Sequence, residues 1–563
     1  MLPRYTVGHR ERRGDAIAPG RQLQRGGTLG GLLDEMAAAR PHAEAVVFRD
    51  RRLTYRALQA QVDALARALL AAGIGRGDRV ALLLPNRPEW LVAAFAVAKV
   101  GGVVVGVSTF STPPELAWTL EHAEAAALVT VEAFRGRTYL AALAELCPEL
   151  GRCEPGALRS ARFPRLRTIV CVEERSHPGT YRLEDFLARA SEVRPAALDA
   201  ARRGVTPRDL CYILYTSGST ATPKGVTLAH GGVIDNGFDI GERQHLGAAD
   251  RLWLAVPLFW SFGSANALPA IMTHGGCVVL QESFEPGEAL DLLDRERCSV
   301  YYGMPNMARA ILEHPDRPRR RLAAMRTGLT IGLPEDIRMT MEAVGAGELC
   351  NVYGSTETYG NCAVTDARDP LPLRLHTQGL PLPGMAIRVV HPETRRPLAR
   401  GEEGELAVRG HVTPGYYRDP ELTRAAFDAD GCFLTGDLGV IGDDGRVRFR
   451  GRLKEMIKTG GINVAPLEVE QVLLQHPAVK QGYVVGVPDR DRGEVVVAAI
   501  ELHAGATADA AAIAGFCRER LATYKVPARF VFRTAGEFPR TPTGKVHKPR
   551  LREELGQAAG GVP

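Results

Sequence analysis

The sequence predicts an α/β fold, with a large N-terminal domain of helix-covered β-sheets and a small α+β domain at the C-terminus. Three observations predict it. The chain has 563 residues, more than one hydrophobic core usually serves, so two or more domains are expected. Helix and strand signals alternate through the first 200 residues and on to about residue 440, the pattern of parallel strands covered by crossover helices. Beyond GRLKEMIKTGG (451–461) the order of elements changes.

Composition narrows the class. Hydrophobic residues make up 45% and charged residues 24%, ordinary values for a globular protein. The net charge of +5 is spread thinly, and no basic stripe with interleaved aromatics marks a nucleic-acid binder. Ten cysteines form no C-x-x-C pair and are too few for a disulfide framework, which fits small apolar residues in a reducing cytoplasm. No HExxH motif or Cys/His cluster points to zinc.

Taken in order, residues 1–27 hold six arginines and no apolar stretch, so they read as a basic arm rather than a secretory signal. After Leu53-Thr54, Leu58, Val62, Leu65, Leu69 and Leu70 recur at helical spacing. The glycines Gly73, Gly75 and Gly77 follow that helix and precede the strand-like RVALLLP. A dinucleotide-binding loop has the opposite order, so these glycines end a helix and make a turn. Residues 88–108 are apolar but carry Lys99 and Gly101–Gly102. They read as a helix, capped by Asn86 and begun by Pro88, followed by a strand, and not as a membrane span.

Toward the C-terminus the signals are a helix near Leu467–Leu474, strands at GYVVGV and EVVVAAIEL, a helix near Ala511–Leu521 and a strand at ARFVF. The domain boundary is expected between Arg450 and Lys454, dividing the chain into 28–450 and 451–563, with a frayed tail at GQAAGGVP.

The segment with most chemistry is YILYTSGSTATPKGV, Tyr212–Val226. A strand-like entry leads into small and hydroxyl residues and ends on Lys224. Glycines let backbone N–H groups approach an anion, Ser and Thr add donors, and the lysine adds charge, as a phosphate cradle requires. The Walker pattern cannot be laid onto it, and a flexible Ser/Thr/Gly linker is the alternative.

Together with VPLFWSFG (256–263), NVYGSTET (351–358), TGDLG (435–439), GRLKEMIKTGGINVAPLEVE (451–470) and PRTPTGKVHK (539–548), this loop resembles the motif series of the adenylate-forming acyl-CoA synthetase superfamily. The likeness extends from about residue 28 to 550. It implies that the C-terminal domain is a mobile lid and that ATP, Mg²⁺ and coenzyme A are used. It further implies that Thr216, Ser217, Gly218, Ser219, Thr220 and Lys224 grip phosphates, that Tyr353 and Gly354 flank adenine, and that Thr356 donates to phosphate. By the same likeness Glu357 holds the metal, Asp437 accepts from the ribose hydroxyls, and Arg452 assists at the ribose or phosphate. Lys454 takes the hinge position, and Lys545 contacts the reacting carboxylate and α-phosphate. Lys458, Gly460 and Gly461 would border a channel for the pantetheine arm, where a side chain would obstruct passage.

Departures from the family pattern are Ala221 in the phosphate loop, Trp260 where histidine is frequent, and the TIGLPE segment (330–335), in which Gly332 is a weak match to an adenine-side loop. An aspartate for an amino-acid ammonium is absent at Trp260, which disfavours amino-acid substrates. Phe259, Trp260, Phe262, Tyr359 and Cys362 suggest an apolar acyl pocket, fitting a fatty, alicyclic or aromatic acid. The expected activity is an AMP-forming acid–thiol ligase, an acyl-CoA ligase; the alternative is an acyl-AMP ligase that loads a freestanding carrier protein. Expected partners are the carboxylic acid, ATP and CoA, with a carrier protein or a second copy (a homodimer) as further candidates.

Overall fold

The computed structural model describes residues 27–216, 223–459, 462–490, 492–541 and 544–557. Residues of the basic arm before 27 and of the tail after 557 therefore lie outside the described residues.

Two large sheets organise the N-terminal part. One has nine strands, and its centre is parallel: Glu348–Tyr353, Thr327–Thr330, Val300–Tyr302, Arg251–Leu254, Cys277–Leu280 and Glu44–Phe48 lie side by side. Antiparallel strands close both edges. The other has seven strands and is parallel except for Lys224–Ala229, which runs back along Leu210–Thr216. Strands buried on both faces read as continuous apolar runs, as VVVG (Val103–Gly106) does, and it forms the strand expected after the helix.

The helix Pro88–Lys99 is buried on nearly every face. Its Lys99 is 1% exposed, and its ammonium bonds Asp34 at 2.6 Å and Asp63 at 2.5 Å from the two neighbouring helices. A charge this deep is tolerable because it is paired. Two sequence expectations need correction. Asn86 does not cap this helix; Arg87 holds that position. The Asn86 side chain instead donates to Val256 O at 3.0 Å and accepts from Leu258 N at 2.8 Å, tying the helix entry to the VPLFWSFG segment. The α/β alternation also stops earlier than 440. The strands Ala386–Val390, Glu403–Arg409, Phe433–Ile441 and Val447–Arg452 form a four-stranded antiparallel sheet.

The turn that follows Tyr55–Ala71 carries Gly73 and Gly77 before the strand Arg79–Leu83, as expected for a helix end and not a nucleotide loop. The apolar cluster of the N-terminal part extends to Phe449, and separate clusters begin at Ile457. Past that point Val479–Asp489 pairs antiparallel with Gly493–Leu502, Arg529–Phe532 joins in parallel, and Pro466–Leu474 and Ala510–Arg518 cover the sheet. All ten cysteines are free and nine are buried. Among the described residues no helix is long and apolar enough to cross a membrane.

Candidate active site

A cleft of about 2690 Å³ lies between the N-terminal sheets and the C-terminal sheet, and both parts line it. Crossing it, Lys480 pairs with Glu313 at 3.1 Å, and a Cβ on Gly544 would stand 2.6 Å from Asn306 Nδ2. The C-terminal segment bearing Lys545 thus lies against the N-terminal wall.

The antiparallel pair Leu210–Thr216 and Lys224–Ala229 forms the stem of the phosphate loop, with Thr216 opposite Lys224 and both lining the cleft. Ser217, Gly218, Ser219, Thr220 and Ala221 lie outside the described residues. The Lys224 ammonium stands 5.4 Å from the ring centroid of Tyr416. The same tyrosine donates its hydroxyl to Glu357 Oε1 at 2.9 Å, so one side chain lies between the loop lysine and the expected metal carboxylate. Glu357 sits on a short 3₁₀ turn, Thr356–Thr358, whose backbone is pinned where Thr413 N donates to Glu357 O. Thr356 Oγ1 lies 2.9 Å from Ser261 Oγ, which joins this motif to the aromatic segment.

Tyr353 ends the strand Glu348–Tyr353, followed by Gly354, and both line the cleft. Its ring stacks on Phe449 with centroids 5.8 Å apart, and its hydroxyl donates to Asp437 Oδ2 at 2.9 Å. Burial pushes the Asp437 carboxyl up to about 6, against the opposing pull of Arg452 and of the Tyr353 hydrogen bond. Arg452 is its cross-strand partner, with Nε 3.7 Å from Asp437 Oδ1.

Lys454 lies in the 3₁₀ turn Leu453–Glu455 that leads out of this sheet and lines the cleft. Lys545 also lines it. The residue is exposed on the cleft side, yet the surrounding walls and the positive charge of Arg452 pull its pKa below the usual lysine value. Nearby, Lys548 bonds Glu455 at 3.2 Å and Glu470 at 2.9 Å, fixing the chain just after Lys545 to the start of the C-terminal part. Lys458 is exposed on the strand Ile457–Thr459, away from the cleft lining, with its backbone N–H donating to Glu494. Gly460 and Gly461 lie outside the described residues.

The acyl side is aromatic. Phe110, Phe259 and Trp260 pack together with centroids 5.5–6.3 Å apart, and Phe262 packs on Tyr302. The first four line the cleft, as does Gly332 of the TIGLPE segment. Tyr359 and Cys362 do not, which corrects the sequence expectation. Tyr359 takes a positive φ of 58° after the 3₁₀ turn, and its ring turns inward onto Gly232 while its hydroxyl accepts from Ala229 N. Cys362 is buried and its thiol donates to Tyr353 O. Sequence reasoning missed Phe110, Ser261 and Tyr416; the aromatic pair in GYYRDPE was the one visible signal for the last.

Comparison with known proteins agrees with this geometry. The family profile described as AMP-binding enzyme matches residues 33–417, and the one described as AMP-binding enzyme C-terminal domain matches 468–545. The chain is 37% identical over 535 residues to YngI of Bacillus subtilis (strain 168), provisionally named an acyl-CoA synthetase, covering 94% of this chain and 97% of that one. It is 33% identical over 542 residues to the mouse (Mus musculus) mitochondrial medium-chain acyl-CoA ligase ACSF2, covering 94% and 88%. Among solved structures it superposes on the anthranilate CoA ligase AuaEII in complex with anthranoyl-AMP, with TM-score 0.82, 26% identity and coverage of 96% and 99%. ATP-bound MatB from Rhodopseudomonas palustris gives TM-score 0.78 at 28% identity, covering 94% and 99%.

The fold is that of an adenylate-forming enzyme. The chain belongs to the AMP-binding acyl-CoA synthetase superfamily. It is an AMP-forming acid–thiol ligase that uses ATP and coenzyme A.

Proposed function

We propose that this ligase activates a carboxylic acid with a largely apolar body, fatty, alicyclic or aromatic, and passes the acyl group to coenzyme A. The observation that carries the proposal is convergence: Lys224, Tyr353, Glu357, Asp437 and Lys545 line one cleft, next to the wall of Phe110, Phe259 and Trp260.

In the first half-reaction the acid carboxylate attacks the α-phosphorus of ATP and pyrophosphate leaves. Asp437, ionised above its raised pKa, accepts from the ribose hydroxyls, and Tyr353 presents its ring to adenine. Lys224 and Thr356 bind phosphate oxygens. Lys545 sets a positive charge where the carboxylate oxygen meets phosphorus, stabilising charge at the reacting centre. Glu357 suits Mg²⁺: it is a single carboxylate oriented by Tyr416, and magnesium is commonly held by one or two carboxylates with substrate phosphates. Bound there, the ion would neutralise phosphate charge.

In the second half-reaction the CoA thiolate attacks the acyl carbon and AMP leaves. A pivot at Lys454, with the domain boundary at 450–454, would withdraw Lys545 and bring the Lys458–Gly461 segment to the cleft. The exposed position of Lys458 beside a cleft-facing Lys545 supports reading this conformation as the one for adenylation.

The test is a panel of fatty, alicyclic and aromatic acids assayed for acid-dependent AMP and pyrophosphate release, with CoA and carrier proteins as acceptors. The expected result is AMP with CoA thioester for apolar acids. Thioester on carrier protein and none on CoA would overturn the acceptor assignment.

A further inference from the structure

The aromatic wall and the phosphate motif meet through two hydroxyls. Ser261 stands between Trp260 and Phe262, and Thr356 begins the 3₁₀ turn Thr356–Thr358; both residues line the cleft. Their side-chain oxygens lie 2.9 Å apart, although 95 residues separate them in sequence. Among the described residues neither hydroxyl has another hydrogen-bond partner.

Both backbones are held where they meet. Trp260 N donates to Pro257 O at 3.1 Å, and Gly263 N and Ser264 N both donate to Trp260 O at 3.0 Å. A Cβ on Gly263 would stand 2.5 Å from Pro257 O, so the turn closes tightly around Ser261. Asn86 anchors its start by accepting from Leu258 N at 2.8 Å. On the other side Tyr359 N donates to Thr356 O at 3.1 Å, and Ser355 N donates to Thr358 Oγ1 at 2.9 Å. Two fixed turns therefore present the two hydroxyls to each other.

Each hydroxyl has one proton and two lone pairs, so within the pair one donates and the other keeps its proton for a third group. A Thr356 that donates to phosphate has committed its proton, which leaves Ser261 as the donor within the pair. The reverse arrangement would turn lone pairs of Thr356 toward phosphate oxygens, a repulsive contact. We propose that Ser261 is a positioning residue for the phosphate grip: it donates to Thr356 Oγ1 and turns the threonine proton toward the nucleotide. The proposal rests on the reading of Thr356 as a phosphate donor. A chain of two hydroxyls polarises along its length, which strengthens the last bond, the one to phosphate. The turn that carries Trp260 and Phe262 on the acid side thus also sets the phosphate side.

The experiment measures dissociation constants of ATP, with Mg²⁺, and of adenosine for the full-length parent, Ser261→Ala, Thr356→Val and the double variant. No turnover is needed, and the ratio of the two constants within each protein removes any general loosening of the pocket. The preference for ATP over adenosine should fall by ~2–10-fold in Ser261→Ala, the range expected for one hydrogen bond, and by at least as much in Thr356→Val. Adding Ser261→Ala to Thr356→Val should cost nothing further, because a residue that acts through another has no effect once that other is gone. A Ser261→Ala variant that keeps the parent preference, weakens ATP and adenosine alike, or costs the same in both backgrounds would overturn the proposal. If Thr356→Val itself keeps the parent preference, Thr356 is not a phosphate donor, and the reading beneath the proposal fails with it.

Discussion

Tyr353 donates its hydroxyl to Asp437 across 84 residues of sequence at 2.9 Å, joining the strand that ends in NVYGSTET to the strand that carries TGDLG. This contact sets the carboxylate near the place where the ribose is proposed to bind; burial favours its protonated form, and the hydrogen bond from Tyr353 opposes that.

That setting has a consequence for pH. The folded-state pKa of Asp437 is raised from 3.8 to about 6, so its ionisation works against folding, and stability is lost as pH rises from about 4 to about 6. Asp437→Asn removes this penalty. The variant should melt higher than the parent at pH 7.5, by a margin worth about 1–3 kcal/mol, and show no advantage at pH 4. It should also lose ATP affinity, and in the parent the KM for ATP should climb below pH 6. A variant no more stable than the parent at pH 7.5 would contradict the buried-carboxylate account.

Tyr416 offers a separable test of the metal carboxylate. Tyr416→Phe keeps the ring beneath Lys224 and removes the hydroxyl that orients Glu357. Loss of such an outer partner commonly costs ~10–100-fold in metal affinity. The Mg²⁺ concentration for half-maximal pyrophosphate release should therefore rise by about 10-fold or more, while Tyr416→Leu should also weaken ATP binding. An unchanged Mg²⁺ dependence in Tyr416→Phe would sink the orienting role.

The Lys99 network tests what holds the N-terminal part together. Asp34→Asn with Asp63→Asn leaves a 1% exposed ammonium without its carboxylates. The double variant should lose ~3–5 kcal/mol in denaturant unfolding. Asp63→Asn alone should lose much less, because Asp34 remains. Equal, small losses in single and double variants would show that the buried charge finds another partner.

How far the sequence was legible follows from the range of each interaction. The phosphate-loop stem and the elements of the C-terminal part were readable because their signals are local: glycine and hydroxyl runs, or apolar spacing within one helix. The alternation was carried too far because PELTRAAF does form a short helix, Pro420–Ala425, between strands that pair antiparallel. Nothing local distinguishes that from a crossover. Tyr359 was assigned to the acyl pocket from its place after the motif, but the positive φ at that residue reverses the direction of the ring. Asn86 looked like a cap because its partners are about 170 residues away. Tyr416 was missed for the same reason, since its bond to Glu357 spans 59 residues.

The central claim is that one cleft serves two reactions and that Lys545 belongs to the first alone. The most direct measurement is to assay the two half-reactions separately in Lys545→Ala. Acid-dependent pyrophosphate release should fall by ~10²–10³-fold, the usual cost of losing one preorganised charge-stabilising group. Conversion of a supplied acyl-adenylate to CoA thioester should proceed at close to the parent rate. Equal loss in both half-reactions would contradict the account.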